Sequence, residues 1–429
     1  MSTASPESDL RAKLARIEPA LNVAAVVIMA TVYLYWNLSR AIYVLLALAA
    51  LVFVARYRPR MPVDHRLYSW PIIAFVGANF VSVAANGLSD AGLNRLVSRY
   101  FLLLIAIPLV SVFYLGYDSR RNPWIKFAAG CVVLGGLAIV DILYLDMKRA
   151  GSGYNASAFG FFALVLTSIV LASYHRFKRD RFGIPIFILA VSMGVCAIIL
   201  SGTRTSWLAG IVVLVCAMLF YLDRYSVTRR LLVTLVVIVG ITVVGSSIPL
   251  VNKRIEIMMD SVAPYVAGEE LNHYNGFRSR VELWKLGWEM GMDHKLFGFG
   301  PGGTKNAIQY YAKQNLKIER RKNWNHIHNQ FLQSFAMSGI FGLLSFLVLM
   351  ACHFWIFARY LGKGYSMEVR SLALAGFLLW VAYLIKSIPG VPFYGTHYLM
   401  MYGFSSAAIW GSLLGALHFS APEDRQPAP

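Results

Sequence analysis

The chain has 429 residues, 58% of them hydrophobic and 14% charged, with a formal net charge of +19 and a mean hydropathy of +0.57. That apolar excess excludes an ordinary water-facing globule and indicates a polytopic membrane protein. The positive charge then belongs to membrane topology and to anionic lipid heads, and no nucleic-acid partner is implied.

Residues 1–18 are polar and mixed in charge, lack the apolar core of a removable signal, and read as a cytoplasmic N-terminus. A bilayer core of about 30 Å takes about 20 apolar residues per helix. On that measure twelve spans are predicted: 19–36, 41–55, 68–86, 100–117, 124–145, 156–174, 183–201, 205–222, 231–250, 328–358, 370–388 and 396–418. Nine fill 19–250 and three fill 328–418, leaving 251–327 as one large periplasmic loop subdomain and 419–429 as a Pro-rich, disordered cytoplasmic tail. The fold class is therefore an all-α integral membrane protein. Arg40 and Arg204 fall where adjacent spans are so close that each must mark a tight helical hairpin.

The charge distribution orients these spans. With the N-terminus inside, short inner segments carry nineteen Lys and Arg, against seven outside: Arg40, Arg95, Arg99, Lys148, Arg149, Arg204 and Lys386. That bias places both termini in the cytoplasm and the long loop on the far side. Cys131, Cys196, Cys216 and Cys352 all fall inside spans, where they act as small apolar residues, and no disulfide or metal framework is implied.

Within the loop, Arg278 to Met292 has helical periodicity. Val281, Trp284, Trp288 and Met292 make an apolar face expected to lie on the membrane surface, and Arg278, Glu282, Lys285 and Glu289 make a solvated stripe. Arg280 has no acid at helical spacing and has Gly287 and Gly291 near its side, so it is the stronger anion-ligand candidate and Arg278 the weaker. Gly298 to Gly303 carries the letters of a dinucleotide fingerprint without the strand before it and the helix after it that the fingerprint requires. It reads instead as a glycine-rich turn permitting close backbone approach. The stretch 305–325 is basic and aromatic, with Lys313, Lys317, Arg320, Arg321 and Lys322 beside Tyr310, Tyr311 and Trp324. It suits phosphorylated sugars or lipid heads as well as it suits a solvated surface.

The candidate site residues cluster at the outer boundary. His328 stands where the loop meets the tenth span, and histidine exchanges protons near neutrality. An interfacial hydrogen bond is the plainer explanation. His326, two residues away, is expected on a different helical face, which disfavours a paired metal site. Arg204, among Ser201, Thr203, Thr205 and Ser206, sits near a helix start in an anion-binding setting, with snorkelling to lipid phosphate as the alternative. Asp141, inside a span, can pair with a cation or orient a histidine, and Lys386 can touch phosphate or snorkel.

These residues resemble the pattern of the O-antigen ligase and polymerase superfamily, and of its O-antigen ligases in particular. His328-Asn329 followed by Gly339 and Gly342, the stretch from Arg278 to Gly303, and SGTRTSWLAG around Arg204 each match an element of the family, in order. Lys295 stands where the family has proline. The resemblance implies a fold similar to membrane-embedded, GT-C-like glycosyltransferases. It implies transfer of a preassembled glycan from undecaprenyl pyrophosphate to a sugar hydroxyl of lipid A-core, without metal or other cofactor. His328 would be the base and Arg204, Arg280 and Arg278 the pyrophosphate ligands, with Asp141, His326, Asn329 and Lys386 in support. Membrane lipids are the surrounding partner. An O-antigen polymerase, a protein O-oligosaccharyltransferase and a lipid-linked solute transporter remain the alternatives.

Overall fold

The computed structural model describes residues 10, 11, 14, 36–118, 124–151, 155–267, 276–314 and 324–419. The expected first span, the C-terminal tail and the basic residues Lys317, Arg320, Arg321 and Lys322 lie outside them. The described residues contain helices and no strand. In chain order these are α1 (Trp36–Tyr57), α2 (His65–Ala85), α3 (Asp90–Leu115), α4 (Ile125–Leu143), α5 (Ala156–Ala172), α6 (Gly183–Leu200) and α7 (Arg204–Tyr221). There follow α8 (Val227–Ser246), α9 (Pro249–Val266), α10 (Gly276–Asp293), α11 (Gly300–Gln314), α12 (Gln330–Ala358), α13 (Met367–Ser387) and α14 (Thr396–Phe419).

Among the described residues, nine of these helices are long and apolar enough to cross a membrane: α1 to α4, α6, α7 and α12 to α14. The chain is a multi-pass membrane protein. α5, where a span was expected over 156–174, is shorter at 17 residues. The Asn155 side chain caps its start by accepting from the Ser157 and Ala158 N–H groups. Arg40 does not mark a hairpin: α1 runs straight through it, because nothing in Trp36 to Tyr57 interrupts the helix, and its guanidinium reaches the Ser98 carbonyl at 3.4 Å.

α14 is buried along its length. Lipid supplies no hydrophobic drive between helices, so close backbone approach through small residues has to do that work. Gly411 and Gly415 provide it: a β-carbon at Gly411 would stand 2.6 Å from the Val110 carbonyl oxygen of α3, and one at Gly415 would stand 2.4 Å from Tyr117.

The end of the bundle that carries the long loop is built on a break in α12. Ser338 and Gly339 leave helical geometry, Gly339 at φ +64°. The break frees carbonyls that the segment 295–299 then uses. Phe299 N–H donates to Ala336 O at 3.0 Å, Ile340 N–H to Lys295 O at 2.7 Å, and Ser82 of α2 bridges Phe297 O and Met337 O at 2.5 and 3.0 Å. The two glycine motifs interlock here. A β-carbon on Gly339 would meet Leu296 O at 2.1 Å, and one on Gly298, itself at φ +63°, would meet the Met337 carbonyl carbon at 2.4 Å.

α10 and α11 form a cap over this break, with their own small core of Leu283, Leu286, Met290, Ala307, Ile308 and Ile327. α10 packs its glycine-bearing side on α12. Gly287 is tight against Ile327 and Gly291 against Phe335, while Trp288 and Met292 of the expected apolar face are 55% and 39% exposed. Glu282, expected in a solvated stripe, is buried and pairs with Lys285 at 3.3 Å. The glycines decide this, because a groove without side chains lets α12 approach more closely than the Trp face allows. The glycine-rich turn is followed by a helix after all, α11, though no strand among the described residues precedes it.

Candidate active site

α12 begins at Gln330, not at His328. Asn329 is its N-cap, with the side-chain oxygen accepting from Leu332 N–H at 3.1 Å, and such a cap is worth about 1 kcal/mol. His326 and His328 therefore stand in the irregular segment before the helix, where the period of 3.6 does not apply. Their rings lie side by side, with centroids 4.1 Å apart, in place of the separate faces expected. His328 has φ +59°, a left-handed conformation that a histidine holds only under constraint. The constraints are visible. Trp284 of α10 donates its indole N–H to the His328 carbonyl at 3.0 Å, Ile327 N–H donates to the Gln333 side chain at 2.9 Å, and Trp324 sets its ring edge-on to His328 at 5.7 Å.

Three cations from three helices bear on this pair. Burial, then His326, Arg280 and Lys386, push the His328 imidazole down to about 3 from an ordinary 6.5. Burial, then Arg99 and Lys386, push His326 down to about 4. Arg280 is itself pulled below its ordinary value by burial and by the Arg204 charge. Of the two loop arginines it is thus Arg280 that sits among the site charges; Arg278, two residues along α10, is turned about 200° away around the helix.

The cations of this region differ in how they are held. Arg204 opens α7, after a turn in which Arg149 donates to the Ser201 carbonyl at 2.8 Å and to the Thr203 hydroxyl at 3.0 Å. Asp141 braces that turn from below: its carboxylate accepts from Gly151 N–H at 2.8 Å, and Ala150 N–H reaches Leu200 O at 2.9 Å. Lys386 is 6% exposed, so it does not snorkel. Its ammonium donates to Ser157 at 2.7 Å and lies 5.6 and 5.7 Å from the Phe161 and Tyr398 rings. Among the described residues Arg280 has no hydrogen-bond or ion-pair partner.

The chemistry available is a neutral imidazole beside Arg280 and Lys386, neither of which is in an ion pair among the described residues, and this suits a polyanion with a transferable proton nearby. Among the described residues no group of three His, Cys, Asp or Glu is placed to hold a metal ion. Sequence reasoning passed over Arg95, Arg99 and Tyr394, which border His326. It also passed over Gln330, whose side-chain oxygen accepts from Phe393 N–H at 2.9 Å and so ties the histidine segment to Tyr394. Two arginines four apart in an otherwise apolar stretch were the available signal.

Among curated proteins, an uncharacterized protein of Haemophilus influenzae is 21% identical over 287 residues, covering 66% of this chain and 71% of that protein. Residues 186–347 match the model of the family described as O-antigen ligase, and the matched segment contains Arg204, Arg280 and His328. The histidine and both arginines thus lie inside the segment that is similar to the O-antigen ligase family.

Proposed function

We propose that this protein moves a preassembled glycan from undecaprenyl pyrophosphate to a sugar hydroxyl of lipid A-core, at the periplasmic face of the bacterial inner membrane. The observation that carries this reading is the placing of Arg280 and Lys386 by His328, with Arg204 in turn by Arg280, at one end of a membrane-embedded bundle. The acceptor oxygen attacks the anomeric carbon as His328 takes its proton. The bond from that carbon to the pyrophosphate oxygen breaks, and its electron pair leaves with undecaprenyl pyrophosphate. Negative charge grows on the leaving group, where fixed guanidinium and ammonium groups in a low-dielectric setting stabilise it and take the part a metal ion plays elsewhere. In-line displacement inverts the anomeric centre.

The test is a reconstituted reaction of purified protein, lipid-linked glycan and lipid A-core in the presence of a chelator. Glycan appears on lipid A-core with the parental protein, and His328→Ala lowers the rate by about 10²- to 10⁴-fold, the usual contribution of a general base. Elongation of the donor alone would make the protein a polymerase, and glycan on Ser or Thr side chains would make it a protein O-oligosaccharyltransferase. A His328→Ala protein that folds and turns over at the parental rate removes His328 from the mechanism.

A further inference from the structure

Two arginines remain that this transfer does not use. Arg95 and Arg99 flank the turn where α3 widens to π-helical geometry over Leu96–Tyr100, a distortion that recurs at functional sites and brings positions four apart closer to alignment than an α-helix does. Both guanidinium groups close on one residue of the segment between α13 and α14. Arg99 lies 4.4 Å and Arg95 5.4 Å from the Tyr394 ring centroid. Arg99 donates to the Tyr394 carbonyl at 2.9 Å, and Arg95 donates to the Tyr394 hydroxyl and, at 2.9 Å, to the Pro301 carbonyl. None of the ion pairs among the described residues includes either arginine.

Two like charges held on one ring without a counter-ion repel each other, and an anion between them removes that repulsion. The place of this pair says which anion. The Tyr394 ring is 6.5 Å from that of His326, whose ring centroid lies in turn 4.1 Å from that of His328. Arg280 and Arg204 are assigned to the leaving group, which in an in-line displacement lies across the anomeric carbon from the hydroxyl that His328 deprotonates. The group approaching past His326 is then the one that brings the hydroxyl.

We propose that Arg95 and Arg99, clamped on Tyr394, form a second anion subsite that grips a phosphate group of the acceptor glycolipid and thereby selects the acceptor. The proposal rests on the transfer reading above. It makes the two substrates bind through separate cationic clamps, with the histidine pair between them.

The test compares lipid A-core bearing its core phosphates with the same glycolipid after chemical dephosphorylation, at fixed donor, in detergent micelles. The parental protein favours the phosphorylated acceptor by about tenfold in kcat/KM, which is about 1.4 kcal/mol. Arg99→Gln erases that preference by raising the acceptor KM about tenfold while leaving the donor KM in place, and Arg99→Lys restores part of it. Equal use of both acceptors by the parental protein overturns the subsite while leaving the transfer reading intact, and that comparison holds even if the variants do not fold. A rise confined to the donor KM overturns it as well, by assigning the pair to the pyrophosphate. Absence of any transfer to lipid A-core sinks the transfer reading, and the subsite with it.

Discussion

At the scale of single residues, the state of His328 before donor arrives is informative. Its imidazole is held near 3 by burial and by His326, Arg280 and Lys386, so at neutral pH it is unprotonated and available but only weakly basic. A pyrophosphate placed on Arg280 and Lys386 cancels two of those four causes and raises the imidazole toward its ordinary 6.5. The donor then strengthens the base that its own reaction requires. The expected signature is an acid limb in kcat, which reports the bound complex, lying at higher pH than the limb in kcat/KM, which reports the free enzyme. Coincident limbs near 6.5 in both profiles would show an unperturbed histidine. The same depression has a stability sign. Between about pH 6.5 and 4 the unfolded chain takes up protons at His326 and His328 that the native segment refuses. The stability they contribute is therefore complete above about 6.5 and is lost as the pH falls toward 4 and 3.

At the scale of elements, the interlock between the break in α12 and the segment 295–299 holds the cap, and through Trp284 and Ile327 it holds the histidines. Gly339→Ala places an alanine at φ +64° and drives its β-carbon into the Leu296 carbonyl. The left-handed backbone costs about 1 to 2 kcal/mol and the displaced carbonyl about 1 to 3 kcal/mol more. The expected result is a lowered thermal midpoint in detergent together with loss of turnover. Gly136→Ala, at a helical position with nothing within 4 Å of the added carbon, is the control and gains up to about 1 kcal/mol of helix propensity. If the two variants melt alike, the interlock is not what holds the cap. The spacing of His328-Asn329 to Gly339 and Gly342 was visible in the sequence, but its meaning was not. It is a distance along α12 from a cap residue to a break, and the partner glycine of that break, Gly298, is far away in the chain.

At the scale of the whole molecule, orientation is the claim to check. If the excess of Lys and Arg in the short inner segments orients the spans, a cysteine replacing the exposed Lys363, between α12 and α13, is labelled only from the cytoplasmic side. One replacing the exposed Asn306, in the cap, is labelled only from the periplasmic side. The reverse pattern would turn the proposed site toward the cytoplasm, where the proposed acceptor could not be met. The background for this experiment is a chain with its four natural cysteines replaced, since Cys196, Cys216 and Cys352 are not fully buried.

The sequence by itself determined the class and the course of most helices, and it singled out His328, Arg204 and Arg280 as candidates, because a bilayer imposes one rule on every span and because a polar residue at its boundary stands out against apolar neighbours. It left the companions of those residues undecided. That the His326 ring lies against that of His328, that Lys386 is buried against Ser157, and that Arg95 and Arg99 meet on Tyr394 are outcomes of which helix packs on which. Helical period relates residues three or four apart, whereas Arg99 and Tyr394, or Lys386 and Ser157, are joined only by the crossing of distant helices. Glycines at α10, α12 and the segment between them govern the part of that packing that seats the cap, through the side chains they lack.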